Sequence, residues 1–235
     1  MLFLALAAPA IAQNAVTTVA GGGSIGVKAT LSSIGEPTGA AFDKTGNLYG
    51  ADSMSNRVYK VSTADVLTIV AGNGGNGSTG ASGPTTSVQL GASRGVAVDP
   101  LGNLFIAVPF PVGEVLEVDA KTGVLSTAYP PYGSNTDVDQ VFADASGHIF
   151  IVQSDWCEVD EFDLATSTDV VVAGTFEACG YSGDGGLATS AKFSQIEGIF
   201  VDSSGNLFIA DTGNNVTITY SDSSEVAVTN WLPAD

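Results

Sequence analysis

Residues 197–215 read EGIFVDSSGNLFIADTGNN: an apolar run, an Asp-x-x-Gly-Asn turn, a second apolar run and a polar break. The same phrase recurs as TGAAFDKTGNLYGAD (38–52), RGVAVDPLGNLFIAV (94–108) and DQVFADASGHIFIVQ (139–153). A repeat on this scale decides the architecture before any single residue does, because one unit cannot bury its apolar face alone and must stack on the next. Asp43, Asp99, Asp144 and Asp202 each close an apolar run, and Gly46, Gly102, Gly147 and Gly205 follow three residues later. An Asp side chain can accept from backbone N–H groups ahead of it, and Gly accepts the positive φ that a tight hairpin requires.

The runs flanking each turn are short, β-branched or aromatic, and apolar on both faces, as expected of strands covered on both sides. A third strand is predicted at 57–61, 114–118, 158–162 and 216–220, and a fourth at 66–72, 124–129, 169–174 and 225–231. No helical period is visible. Four strands per repeat make one β-propeller blade. The fold expected is therefore all-β, a β-propeller of about four four-stranded blades, with units at about 37–93, 94–136, 137–196 and 197–235. VTTVAGGG (16–23) matches the fourth strand of later units, so a strand at 15–20 is expected to belong to an adjoining blade. Two arrangements stay open, a small four-bladed ring or an arc of a larger one. An arc would bare apolar blade faces and call for a partner or self-association.

Residues 1–12, MLFLALAAPAIA, end in the small-x-small pattern Ala10-Ile11-Ala12 and fit a secretory signal peptide cleaved before Gln13. The run is shorter than the about 20 residues a membrane-spanning helix needs, and no transmembrane segment is expected elsewhere. The chain carries 7 Lys+Arg against 25 Asp+Glu, a formal charge of −18. Such a polyanion repels phosphate backbones, which argues against nucleic acid as a partner, and attracts cations or basic groups. With 29 Gly and 44% hydrophobic residues, the composition suits a turn-rich folded chain rather than a disordered one.

AGNGGNGSTGASGPTTSVQL (71–90), CGYSGDGGLATSAKF (179–193) and FVDSSGNLFIADTGNN (200–215) resemble the NHL-repeat β-propellers of secreted bacterial proteins. The resemblance covers nearly all of residues 15–220. It departs from the pattern at Val108-Pro109-Phe110-Pro111, at Gln153-Ser154-Asp155, and in VTITY (216–220), where a basic segment is usual. It implies a secreted or periplasmic protein but no single activity. Related lyase propellers bind zinc through several histidines, and His148 is the only histidine here, standing where the other turns carry Asn47, Asn103 and Asn206.

Aligning the inner strands puts Thr38, Arg94, Asp139 and Glu197 at equivalent entry positions beside the central channel. The ends of the second strands add Asp52, Gln153 and Asp211. Carboxylates converging there, Asp139 and Glu197 foremost, could hold Ca²⁺ through hard oxygen ligands. The alternative is a solvated charged rim partly neutralised by Arg94. Cys157 and Cys179, the two cysteines, are expected to pair, as in an exported protein. The function expected is a binding or scaffold module for a protein, glycan or envelope ligand. The runner-up is a lactonase-like hydrolase or lyase with a carboxylate-bound divalent cation.

Overall fold

The computed structural model describes residues 28–29, 34–77, 83–109, 113–131, 137–221 and 225–230. The leader expected at 1–12, the strand expected at 15–20 and Trp231 lie outside the described residues. Within them, the repeat folds as four antiparallel blades of a β-propeller. Blade 1 is β1 (Pro37–Phe42), β2 (Leu48–Asp52), β3 (Arg57–Val61) and β4 (Leu67–Ala71). Blade 2 is a short β5 (Gly83–Pro84), then β6 (Val96–Val98), β7 (Leu104–Val108), β8 (Glu114–Val118) and β9 (Val124–Tyr129). Blade 3 is β10 (Val138–Ala143), β11 (His148–Gln153), β12 (Glu158–Asp163) and β13 (Thr168–Gly174). Blade 4 is β14 (Ile196–Val201), β15 (Leu207–Asp211), β16 (Val216–Ser221) and β17 (Glu225–Asn230).

The repeated Asp builds the turn that joins the first two strands of each blade. Asp43 Oδ1 accepts from the Thr45 and Asn47 N–H groups, both at 2.9 Å, while Asn47 Nδ2 donates to Asp43 Oδ2 at 2.7 Å. Asp99 and Asp202 accept from Asn103 and Asn206 in the same way. In blade 3 the ring Nδ1 of His148 sits 3.2 Å from Asp144 Oδ2 and takes the place of the amide. Gly46, Gly102, Gly147 and Gly205 have φ between 83° and 94°, the left-handed region that a side chain would resist. The turn chemistry thus explains why Asp, Gly and Asn recur together.

The second strands of the two middle blades are buried on both faces because each lies between two neighbouring blades. Along β7, Leu104, Ile106 and Val108 pack towards Tyr49 and Ala51 of blade 1. The alternating Phe105 and Ala107 pack towards Ile149 and Ile151 of blade 3. Phe150 and Val152 of β11 then meet Leu207 and Ile209 of β15. Each such large buried side chain contributes about 1.5–3 kcal/mol of transfer free energy.

A glycine directly after the entry residues Thr38 and Arg94 permits close approach of neighbouring blades. A Cβ on Gly39 would strike the Arg94 carbonyl, and one on Gly95 would lie 2.8 Å from Gln140 Cα. At Gly198 the same atom would meet only Ala210 of its own sheet, at 3.7 Å. Among the described residues, β1 packs on β6, β6 on β10 and β10 on β14, with no comparable contact from β14 to β1.

Two details depart from the sequence reading. Blade 2 carries a fifth strand, β5, paired with the outer β9. The long connections also do more than cover a rim. Val88 and Leu90 wedge between blades 1 and 2, and Ala188, Ala191 and Phe193 between blades 3 and 4. Scattered apolar residues in a Gly- and Ser-rich loop gave no periodicity from which that wedging could be read.

Candidate functional site: the mouth of the channel

Equivalent positions of a repeat come together where the inner strands converge. Thr38, Arg94, Asp139 and Glu197, one from each blade unit, line a single cavity of about 510 Å³ together with Asp137, Gln140, Ser154 and Asp155. The seams between blades are stitched at its wall. Thr38 Oγ1 donates to the Arg94 carbonyl at 2.9 Å, and Ser154 Oγ to the Ile196 carbonyl at 3.0 Å. Arg94 Nη1 bonds Asp139 Oδ1 across the seam between blades 2 and 3, with Asp137 Oδ2 3.7 Å away.

The electrostatics of the mouth are one-sided. One guanidinium faces four carboxylates, those of Asp137, Asp139, Asp155 and Glu197. Asp139 is only 8% exposed. Burial pushes its carboxyl above the usual range; bonds from Ser154 and Arg94 pull the other way, and the charge of Asp137 adds to the rise. Asp155 and Glu197 are exposed residues. Asp137 and Asp155 were not singled out by sequence alignment. Asp155 could have been, since it lies in the segment that departs from the repeat pattern.

The ends of the second strands do not line this cavity. Asp52 is fully buried, and its carboxylate accepts from the N–H groups of Gly35 (2.7 Å), Glu36 (3.0 Å), Met54 (3.1 Å) and Ser55 (3.0 Å). Asp211, also fully buried, accepts from the Ser194 N–H at 2.8 Å and from Asn214 Nδ2 at 2.7 Å. Both hold the connection entering their blade's inner strand. Burial raises both carboxyls, but the N–H donors at Asp52 outweigh it and lower that pKa, whereas at Asp211 burial prevails. Gln153 turns into the seam between blades 2 and 3, where Nε2 bonds Asp160.

Asp139 and Glu197 share the mouth, although Asp139 is already engaged by Arg94. Among the described residues no group of three or more His, Cys, Asp or Glu is placed to hold a metal ion. At the opposite end of the inner strands a second cavity of about 390 Å³ is lined by Phe42, Phe142 and Phe200, with Gln140 common to both cavities. Phe142 and Phe200 meet edge to face at 5.5 Å. Phe42 and Phe200 are 66% and 54% exposed, so the channel is acidic at one end and aromatic at the other.

Cys157 and Cys179 form a disulfide with Cα atoms 5.3 Å apart. Cys157 occupies the left-handed position (φ 58°) that Asn56 and Asn215 fill in blades 1 and 4. The bond ties the start of β12 to the loop that wedges between blades 3 and 4.

No family model matches the chain. Human teneurin-1 is 25% identical over 223 residues, covering 80% of this chain and 8% of that protein. Among solved structures, an auxiliary nutrient binding protein from Bacteroides ovatus superposes with a TM-score of 0.63 at 12% identity, over 83% of this chain and 47% of that one. A nidogen/laminin complex gives a TM-score of 0.51 at 13% identity, over 83% of this chain and 80% of the other. The chain thus spans a small part of teneurin-1 and about half of the nutrient binding protein. At these identities the structural likeness carries the fold alone.

Proposed function

We propose that the chain is an exported NHL-type propeller that binds a basic group of a protein ligand in the acidic mouth of its channel. The observation that carries the reading is the four carboxylates set against one guanidinium around a cavity of about 510 Å³, a volume in the range typical of ligand sites. Thr38, Arg94, Asp139 and Glu197 are the contact residues. Arg94 holds Asp139 in place, while the exposed residues Glu197 and Asp155 would receive a lysine or arginine side chain. A guanidinium matches a carboxylate as a bidentate donor. It meets the site without displacing Arg94, as a divalent ion ligated by Asp139 would have to do.

Binding proteins are present among the structural neighbours, one named for nutrient binding and one solved as a complex with laminin. Export is supported by the leader-like residues 1–12 and by the disulfide, a bond that persists in oxidising compartments. The reading is tested by titrating a fluorescein-labelled Lys/Arg-rich peptide into the protein at moderate salt. Glu197→Gln with Asp155→Asn should weaken binding about tenfold, the equivalent of about 1.4 kcal/mol. Asp65→Asn, in the turn between β3 and β4 and absent from the lining of the mouth, should leave affinity unchanged. Equal loss in both variants would reduce the binding to general attraction by the net charge and reject the site.

A further inference from the structure

The seam between blades 2 and 3 buries a second acidic group, away from the channel mouth. Glu158 and Asp160 stand two residues apart on β12, and Gln153 of β11 pairs with Glu158 across the sheet. Asp169 of β13 pairs with Phe162. Tyr129 of blade 2 closes the group, donating from its hydroxyl to Asp169 Oδ2 at 3.1 Å and packing edge to face on Phe162 at 5.2 Å. Glu158 and Asp160 are each 3% exposed, and Gln153 is 2% exposed.

The hydrogen bonds of this group do not close. Gln153 Oε1, Glu158 Oε2, Asp160 Oδ1 and Asp169 Oδ1 are all buried without a partner. Every one of these atoms is an acceptor, so the deficit is of donors. Within the apolar cluster that blade 2 packs into this seam, Phe105, Ala107, Val115 and Tyr129, only the Tyr129 phenol titrates, and the Arg94 guanidinium crosses the seam at the channel, where it is engaged by Asp139. The charges that act on Asp160 are those of Asp169 and Glu158, and Glu158 feels Asp169 in turn. Two carboxylates so buried, with the half-buried Asp169 beside them, favour holding a proton over staying fully ionised without a cation. A proton on one of them supplies a donor and removes a repulsion.

We propose that this cluster takes up a proton on folding, carried by Asp160, so that the blade 2–blade 3 seam is a proton-operated joint that tightens in acid. Burial, reinforced by the neighbouring carboxylates, pushes Asp160 up to about 7 and Glu158 up to about 6. Both lie above the value of an unfolded carboxyl. Folded protein therefore holds more protons than unfolded protein between about pH 4 and 7, and stability falls as pH rises through that window. The Arg94–Asp139 pair crosses the same seam at the channel, so loosening there would reach the mouth.

Thermal melting of the full chain between pH 5 and pH 8.5 tests the joint, with Asp160→Asn as the variant. The wild-type Tm should fall by about 5–10 °C across this interval, and Asp160→Asn, neutral at every pH, should remove most of that fall. A carboxyl-carbon NMR titration of the wild-type protein gives the same answer without a variant: Asp160 should titrate near neutrality. Equal pH slopes in wild type and Asp160→Asn, or an Asp160 carboxyl titrating near pH 4, would overturn the proposal. A Tm at pH 8.5 restored by Ca²⁺ in wild type but not in the variant would overturn it too, by assigning the cluster to a metal ion.

Discussion

The Arg94 guanidinium reaches across the seam between blades 2 and 3 and bonds the buried Asp139 carboxylate, while its own carbonyl accepts from Thr38 of blade 1. One residue thus joins three blades at the channel mouth. Arg94→Met should remove the ion pair while keeping most of the apolar stem. Because the Arg94 side chain is 46% exposed, the loss should be about 1–2 kcal/mol at pH 7 rather than the larger figure of a fully buried pair. The loss should be smaller at pH 4 than at pH 7, because burial raises Asp139 and a carboxyl that gains a proton has less need of a cationic partner. Urea denaturation at the two pH values measures both.

The turn carboxylates of Asp43 and Asp202 titrate with the opposite sign. Burial raises Asp43, but the donors of Asn47 and Thr45 outweigh it and hold its pKa far below the ordinary carboxylate range. Its contribution is therefore present above about pH 4 and lost as pH falls below the unfolded value. Asp43→Ala should cost about 1–2 kcal/mol at pH 7. Denaturation at successively lower pH should show the difference between wild type and variant narrowing only below about pH 4.

Reducing the Cys157–Cys179 bond opens a loop with a sequence separation of 22. The chain-entropy account gives a loss of about 3 kcal/mol. Cys157 also sits at φ 58°, where blades 1 and 4 use Asn. A Cys157→Asn/Cys179→Ser protein should therefore be more stable than Cys157→Val/Cys179→Ser, since a β-branched residue resists the left-handed region. Identical melting temperatures of the two would show that the backbone conformation at 157 contributes nothing.

Glycines at one position of the repeat should differ in tolerance. Gly95→Ala places a methyl 2.8 Å from Gln140 Cα and should cost about 1–3 kcal/mol by forcing two inner strands apart. Gly198→Ala meets only Ala210 at 3.7 Å and should change stability by about 0.5 kcal/mol or less. Chemical denaturation of the two variants separates a steric requirement from a merely repeated residue.

The blades were legible because their signals are local. Asp43, Gly46 and Asn47 make one turn, and the alternation of Leu104, Phe105 and Ile106 buries a strand on both sides. The mouth was legible in part, because repeat symmetry carries Thr38, Arg94, Asp139 and Glu197 to one place. The same symmetry misled at Asp52 and Asp211, whose side chains turn back onto backbone N–H groups of the preceding connection. The direction of a side chain at a strand end depends on the donors around it, and repeat alignment does not contain them. Asp160 and Glu158 were read only as part of a third strand, because their burial depends on Tyr129 from a different blade.

The most direct test of the binding reading is where a basic ligand lands. Backbone amide NMR of the isotope-labelled chain, titrated with the Lys/Arg-rich peptide, maps contact residue by residue. The account predicts saturable shift changes centred on Thr38, Arg94, Ser154, Asp155 and Glu197, with the outer strands β4, β13 and β17 unmoved. Changes scattered over the acidic surface, or centred on the outer strands with the mouth silent, would contradict it.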